Sequence, residues 1–154
     1  MTLADFFSNY ADVRREMLDA VKNLTQEQLD WKPANHPNSI GYLLRHIALN
    51  ECFWIEVVAE QSATEADLTP FRQARTREET LAHLDATFRT TMKYLEANNV
   101  ENWDEASYEF TADDGCVERF TKRWLVWHVV EHQARHRGQI FMMMRMQGLD
   151  VPDV

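Results

Sequence analysis

Apolar side chains at Leu3, Phe6, Phe7, Tyr10, Val13, Met17, Val21 and Leu24 recur at three- and four-residue steps, which predicts a helix over residues 3–24. Thr25 and Gln28 form a capping-box pattern that opens a short helical turn, TQEQLDW, stopped by Pro33. After the loop PANHPNS, Ser39 is placed to cap a second helix over 39–61, with an apolar face of Ile40, Leu43, Leu44, Ile47, Trp54 and Val58. Residues 62–75 carry Ser, Thr, Pro and charge with little periodicity and read as a linker. Thr76 with Glu79 opens a third helix that runs to Asn98 and presents Leu81, Leu84, Phe88, Met92 and Leu95. Residues 99–119 are an acidic connection in which SYEFTADDGCVERF predicts a small hairpin around Asp114-Gly115; such a hairpin must lean on the rest of the chain or be mobile. Thr121 caps the last helix, 121–147, which is apolar nearly all round from Trp124 to Val130 and therefore reads as buried; Gly148 stands where a C-terminal cap belongs.

Four long amphipathic helices and one hairpin-like segment before the last of them predict an all-α four-helix bundle, antiparallel or crossover, forming a single domain over residues 1–154. A chain of that length buries roughly two-thirds of its unfolded surface, enough for a real core. The formal charge of -9 argues against nucleic-acid backbones and anionic membrane surfaces, which call for Lys and Arg. No stretch approaches the roughly 20 apolar residues of a membrane span, and the first 30 residues lack the pattern of a signal peptide. Two cysteines, Cys52 and Cys116, are no disulfide framework. A cytoplasmic protein is expected.

The chemistry-bearing feature is on the last helix. His128, His132 and His136 follow one another at four-residue steps, each turning about 400° on a helix, so the three imidazoles form one stripe that Gln139 continues. A single histidine on an amphipathic helix is usually a boundary residue. Three on the most apolar helix need a reason, because an unpaired buried polar group costs roughly 1–3 kcal/mol, and a metal ion supplies one. The stripe rises about 12 Å from His128 to His136, too far for one ion to join its ends. The ligands would be one adjacent pair and a group from another helix, with His46 the first candidate and His83 the second; His36 falls in a loop. Neither histidine of a pair is followed by Glu as in a zinc protease, and none has Glu three residues before it as in a di-iron bundle. Neutral imidazoles with open positions suit Zn²⁺, Ni²⁺ or Fe²⁺, one ion per chain, and disfavour Mg²⁺ and Ca²⁺. An ion held this way keeps its charge to act on a further ligand, lowering the pKa of water toward 7 or deprotonating a thiol.

The run HVVEHQARHRGQI, closing with MRMQG, resembles the last helix of the DinB/YfiT-like proteins. His132, His136, Arg137, Gly138, Gln139, Arg145 and Gly148 fit that signature; GYLLRHIALNECFW and LTQEQLDWKP resemble the family's second helix and the end of its first. The resemblance covers nearly the whole chain, and its HRGQ element is the specific part. It implies a four-helix bundle with long crossover connections, often a homodimer. It also implies a metal held by one histidine of the second helix and two of the last, here His46, His132 and His136. Some members are thiol S-transferases using bacillithiol, mycothiol or glutathione, others are hydrolases or isomerases, and many have no assigned reaction.

His128, one turn before the pair, is expected to be a pocket or core residue, and Asn50, one turn after His46, a neighbouring amide; Gln139 either orients a ligand histidine or makes an end-of-helix contact. Arg137 is expected to pair with an acid, the alternative being to bind an anionic substrate; Glu131 is expected to pair with Arg135, and the methionines at 142, 143, 144 and 146 to divide between core and dimer contact. The expected activity is metal-dependent transfer of a low-molecular-weight thiol to a small electrophile. The rivals are a metal-dependent hydrolase and a non-catalytic metal- or ligand-binding bundle, the last predicting a fourth protein ligand, His83 or His128.

Overall fold

The four predicted helix starts are occupied by the caps that predict them. The structure is a computed structural model that describes residues 1–112 and 114–152, so Asp113 of the hairpin and residues 153–154 lie outside the described residues. Its elements are α1 (Leu3–Phe6), α2 (Tyr10–Val21), α3 (Gln26–Asp30), α4 (Ile40–Glu51) continuing as a π-helical segment (Cys52–Ala59), a 3₁₀ turn (Glu65–Leu68), α5 (Thr69–Gln73), α6 (Arg77–Ala97), β1 (Ser107–Thr111), β2 (Val117–Thr121) and α7 (Lys122–Met146). Thr25 Oγ1 accepts from the Gln28 N–H at 3.2 Å while Gln28 Oε1 accepts from the Thr25 N–H at 2.8 Å. Thr76 and Glu79 make the same reciprocal pair at 3.2 and 3.0 Å. Ser39 Oγ accepts from the Tyr42 N–H at 3.2 Å, and Thr121 Oγ1 from the Trp124 N–H at 3.1 Å. Each satisfies an N–H that the helix cannot. At the far end of α7, Gly148 takes φ 71°, and the Leu149 N–H returns to the Met144 carbonyl at 3.0 Å.

The fold is all-α, with the hairpin its one sheet among the described residues. α4 packs against both α6 and α7, and α7 also packs against α2. Strands β1 and β2 pair antiparallel, Ser107 opposite Thr121 and Thr111 opposite Val117. The hairpin leans on the bundle. Phe110 meets Phe53 (ring centroids 5.0 Å apart), Phe120 meets Trp54 (4.8 Å), and the Tyr108 and Tyr94 hydroxyls are 2.6 Å apart.

Several details depart from the periodic pattern. The first helix is broken at residues 7–9. The Leu3 N–H donates to the Asn98 carbonyl at 2.8 Å and Thr2 bridges Asn99, so the first turn is tied to the end of α6 and α2 starts afresh. The stretch read as a plain linker contains the 3₁₀ turn and α5, which bury Leu68 and rest on α4. On α6 the buried stripe is Thr80, Leu84, Thr87, Thr91, Tyr94 and Leu95; Leu81, Phe88 and Met92 are only partly buried. Two of the three buried threonines find a partner for the hydroxyl, Thr80 Oγ1 on the Thr76 carbonyl at 2.9 Å and Thr87 Oγ1 on Glu51 at 2.6 Å, while the Thr91 hydroxyl is buried with none among the described residues. The start of α7 is not buried all round: Trp124 is 43% and Trp127 56% exposed. Of the methionines, Met143 and Met144 are core, while Met142 and Met146 are exposed.

The core is two apolar clusters with a polar layer between them. One contains Met17, Ile40, Leu44, Ile47, Leu84, Ile140 and Met144; the other Leu3, Tyr10, Ile55, Val58, Leu95, Leu125 and Val129. Where they meet, each long helix contributes a polar side chain: Arg14, Glu51, Thr87 and Gln133, each at most 2% exposed. Arg14 forms an ion pair with Glu51, which also accepts from the Tyr10 hydroxyl and, at 2.6 Å, from the Thr87 hydroxyl. Arg14 Nε donates to Gln133 Oε1 at 2.5 Å, and Gln133 Nε2 donates to the Tyr10 carbonyl at 3.1 Å. Arg14 also lies over the Phe88 ring, 5.2 Å from its centroid. This layer joins all four long helices, and it abuts the histidines in sequence: Glu51 follows Asn50, and Gln133 follows His132.

Candidate metal centre

The packing of α4 on α7 faces His46 toward the last helix, and the four-residue step within α7 stacks His132 above His136. Their Nε2 atoms converge. His132 Nε2 lies 3.0 Å from His46 Nε2 and 3.1 Å from His136 Nε2. One ligand nitrogen from each of the three falls within 4.8 Å of the others. His132 is 6% exposed; His46 and His136 are half-buried.

Three facing nitrogens pose a hydrogen-bonding problem. His136 Nδ1 donates to Gln139 Oε1 at 2.5 Å, so its proton is on that side and its Nε2 presents a lone pair to His132. A proton on His132 Nε2 can serve His136 or His46 but not both, and without that proton its lone pair faces the lone pair of His136. A cation at the centre satisfies all three at once. Tetrahedral bonds of about 2.0–2.1 Å set ligand nitrogens roughly 3.3 Å apart, close to the spacing found. The donor set therefore fits a divalent ion that prefers imidazole.

The electrostatics agree. Burial, then the charges of His136 and His46, push His132 down to about 2, so this ring stays neutral and its lone pair available at any ordinary pH. Burial also lowers His46 and His136, the latter opposed by its bond to Gln139.

The remaining predicted residues fall into place around this group. His128 is half-buried, stacked on Trp124 (4.9 Å, 11°), with its Nε2 accepting from Asn50 Nδ2 at 3.2 Å. It lines a cavity of about 520 Å³ with Trp124 and Trp127, so it is a pocket residue beside the three. His83 is apart, packed on Phe71 at 4.6 Å, and His36 holds its own loop through the Asn38 N–H at 3.2 Å. Arg137 pairs with Glu16 at 2.6 Å, and Arg135 pairs with Glu131. Sequence reasoning did not find Tyr42, which stacks on His46 (5.9 Å, 15°), or the arginines Arg45, Arg72 and Arg75 that line a cavity with it.

A family model described as the DinB family matches residues 1–154. The chain belongs to the DinB family. It is 24% identical over 150 residues to the uncharacterized protein YjoA of Bacillus subtilis (strain 168), covering 95% of this chain and 89% of that one. Its fold is similar to a crystal structure from Exiguobacterium sibiricum 255-15 assigned to the same family, with a TM-score of 0.72 at 16% identity, covering 99% of this chain and 97% of that chain. Among the described residues of this DinB protein, no helix is long and apolar enough to cross a membrane.

The contact between Gln139 and His136 carries its own prediction. Replacing Gln139 with leucine frees the imidazole to rotate and to change tautomer, and is expected to weaken Zn²⁺ or Ni²⁺ binding about 10–100-fold without unfolding the chain. Competition titration against a chromogenic chelator reads this directly; unchanged affinity would reduce Gln139 to a helix-end contact.

Proposed function

We propose that this DinB protein holds one divalent ion, Zn²⁺ or Ni²⁺ with Fe²⁺ as the alternative, through His46, His132 and His136, and transfers a low-molecular-weight thiol to a small electrophile. The observation that carries the reading is the convergence of three neutral Nε2 atoms without a carboxylate among them. When bound, the ion would supply a Lewis acid that draws the proton from a coordinated thiol. In the overall reaction a sulfur–carbon bond forms, the bond to the leaving group breaks with its electron pair, and the thiol proton leaves to water or to the departing group.

The chain's own sulfur is poorly suited to the task. Cys52 is 3% exposed, and burial followed by the Glu56 charge pushes its thiol up to about 12; Cys116 is exposed at the distal hairpin. A nucleophilic sulfur would therefore come from outside. The non-catalytic rival called for a fourth protein ligand, but His128 Nε2 is engaged by Asn50 and His83 packs elsewhere. That leaves an open position of the kind that catalytic sites keep.

The test is turnover of a chromogenic aryl halide by metal-loaded protein with bacillithiol, mycothiol or glutathione. The expected outcome is turnover that needs both thiol and metal and disappears in His132→Ala. Ester or amide hydrolysis without thiol, with a pH inflection near neutrality, would assign the hydrolase instead. Equal turnover by the metal-free chain would end the metal-dependent reading.

A further inference from the structure

The mouth of the candidate centre has an unusual charge balance. A cavity of about 420 Å³ opens beside His46, walled by Tyr42 and Phe71 and by the side chains of Arg45, Arg72 and Arg75. That size suits a small organic ligand. No carboxylate lines it. The chain has twelve arginines, and eight of them, at 14, 15, 77, 89, 119, 123, 135 and 137, form ion pairs. Of the four that form none among the described residues, three are those of this cavity. In a chain of net charge -9, three arginines that form no ion pair at one opening are a local reversal of sign, even with Asp30 acting on Arg45 from a distance and Glu79 accepting from the Arg75 backbone N–H at 2.9 Å.

Two elements create the cluster. Arg45 precedes His46 on α4 and is half-buried, with a guanidinium nitrogen near Gly41, where a Cβ would meet it at 3.4 Å. Arg72 sits on α5 and Arg75 in the turn before α6; both are exposed. Arg75 is steadied by its guanidinium donating to the Arg72 and Ala74 carbonyls, each at 3.0 Å. Phe71 sits among them as the apolar wall. Guanidinium forks recognise carboxylate and phosphate oxygens through paired hydrogen bonds, and the gain grows where the group is partly shielded from water.

We infer that Arg45, Arg72 and Arg75 form an anion-binding subsite, so that the ligand reaching the histidines is a small molecule carrying carboxylate or phosphate groups at its far end. This rests on the proposed metal-dependent reading only for what the ligand does at the histidines, not for its charge. A thiol with an acidic tail would be anchored by the tail beside His46, the one of the three histidines that lines this cavity, while a neutral thiol of equal reactivity would lack the anchor.

The experiment is calorimetric titration of the full chain, metal-free and zinc-loaded, with succinate, with inorganic phosphate and with succinamide as the uncharged counterpart of succinate. Variants are Arg45→Gln and Arg72→Gln, with Arg145→Gln as the control arginine outside the cavity. The expected result is binding of a dianion that survives in metal-free protein, is absent for succinamide, and weakens about tenfold or more in each cavity variant but not in the control. Whether succinate or phosphate binds more tightly assigns the anion. Arg72 is exposed, so Arg72→Gln keeps the test sound if Arg45→Gln disturbs the fold. Equal binding of succinate and succinamide, or undiminished binding in both cavity variants, would overturn the subsite. Arginine-dependent dianion binding by a chain that takes up no zinc would sink the metal reading and leave the anion subsite standing.

Discussion

Replacing Glu51 with alanine is expected to destabilise the protein more than any substitution at the histidines. Glu51 and Arg14 are each 1% exposed, and the carboxylate is the only anion that Arg14 meets among the described residues. Glu51→Ala leaves a guanidinium buried without its counter-charge, at a cost of about 3–5 kcal/mol. Since whole-domain stability is about 5–15 kcal/mol, that is a large share. For a chain of this size the melting temperature should fall by about 6–20 °C. The same loss strips Tyr10 and Thr87 of their acceptor. The double substitution Arg14→Met with Glu51→Leu should recover part of the loss, because it leaves no charge uncompensated, although Tyr10, Thr87 and Gln133 still lack their partners. A fall of under about 2 °C in the single variant would show that water reaches Arg14 and that the layer is not closed.

Metal should act on stability in the opposite direction, and its effect should depend on pH. Zn²⁺ at a hundredfold excess over its dissociation constant is expected to add about 2.7 kcal/mol, raising the melting temperature by about 5–11 °C, and to have no such effect on His132→Ala. Burial holds His132 at about 2 in the folded chain, against about 6.5 when unfolded. Below about 6.5 the unfolded chain therefore takes up a proton that the folded chain refuses. Stability from this residue is constant above that pH and falls steadily as the pH drops toward 2. Proton competition also releases metal over the acidic side of this range. Thermal melts of wild type and His132→Ala between about pH 5 and 8, with and without Zn²⁺, separate the two effects. A metal-induced shift of equal size in both proteins would place the ion elsewhere.

What the sequence could disclose follows from how each signal is written. Helix positions were legible because Thr25, Ser39, Thr76 and Thr121 are local caps, two of them, Thr25 and Thr76, in boxes read from residues three apart. The grouping of His46 with His132 and His136 was legible because the four-residue step fixes one face of α7, and the resemblance to the DinB/YfiT-like proteins supplied the partner helix. The buried layer was not read, although it left a trace. Arg14 interrupts the stripe Tyr10, Met17, Val21; Glu51 interrupts Ile47, Ile55, Val58; Gln133 interrupts Val129 and Ile140. One polar residue on one stripe looks like a boundary, and only the packing of four helices brings the interruptions to a common level. The arginine cavity was hidden for a different reason. Arg72 lies in a helix of five residues, too short to show a period, and meets Arg45 only because α5 rests on α4. Thr80 and Thr87 on the buried stripe of α6 were missed because an apolar pattern does not count a hydroxyl that finds its own acceptor.

The proposed function stands or falls with one metal ion held by His46, His132 and His136 between α4 and α7. Elemental analysis of the purified chain, beside His46→Ala and His132→Ala, tests it most directly. About one Zn or Ni per wild-type chain is expected, with loss of the ion in both variants, each of which removes one of three donors from a different helix. A wild-type chain that carries no metal and takes up neither Zn²⁺ nor Ni²⁺ on addition, or variants that keep a full complement, would contradict it and make the three imidazoles a hydrogen-bonded part of the core.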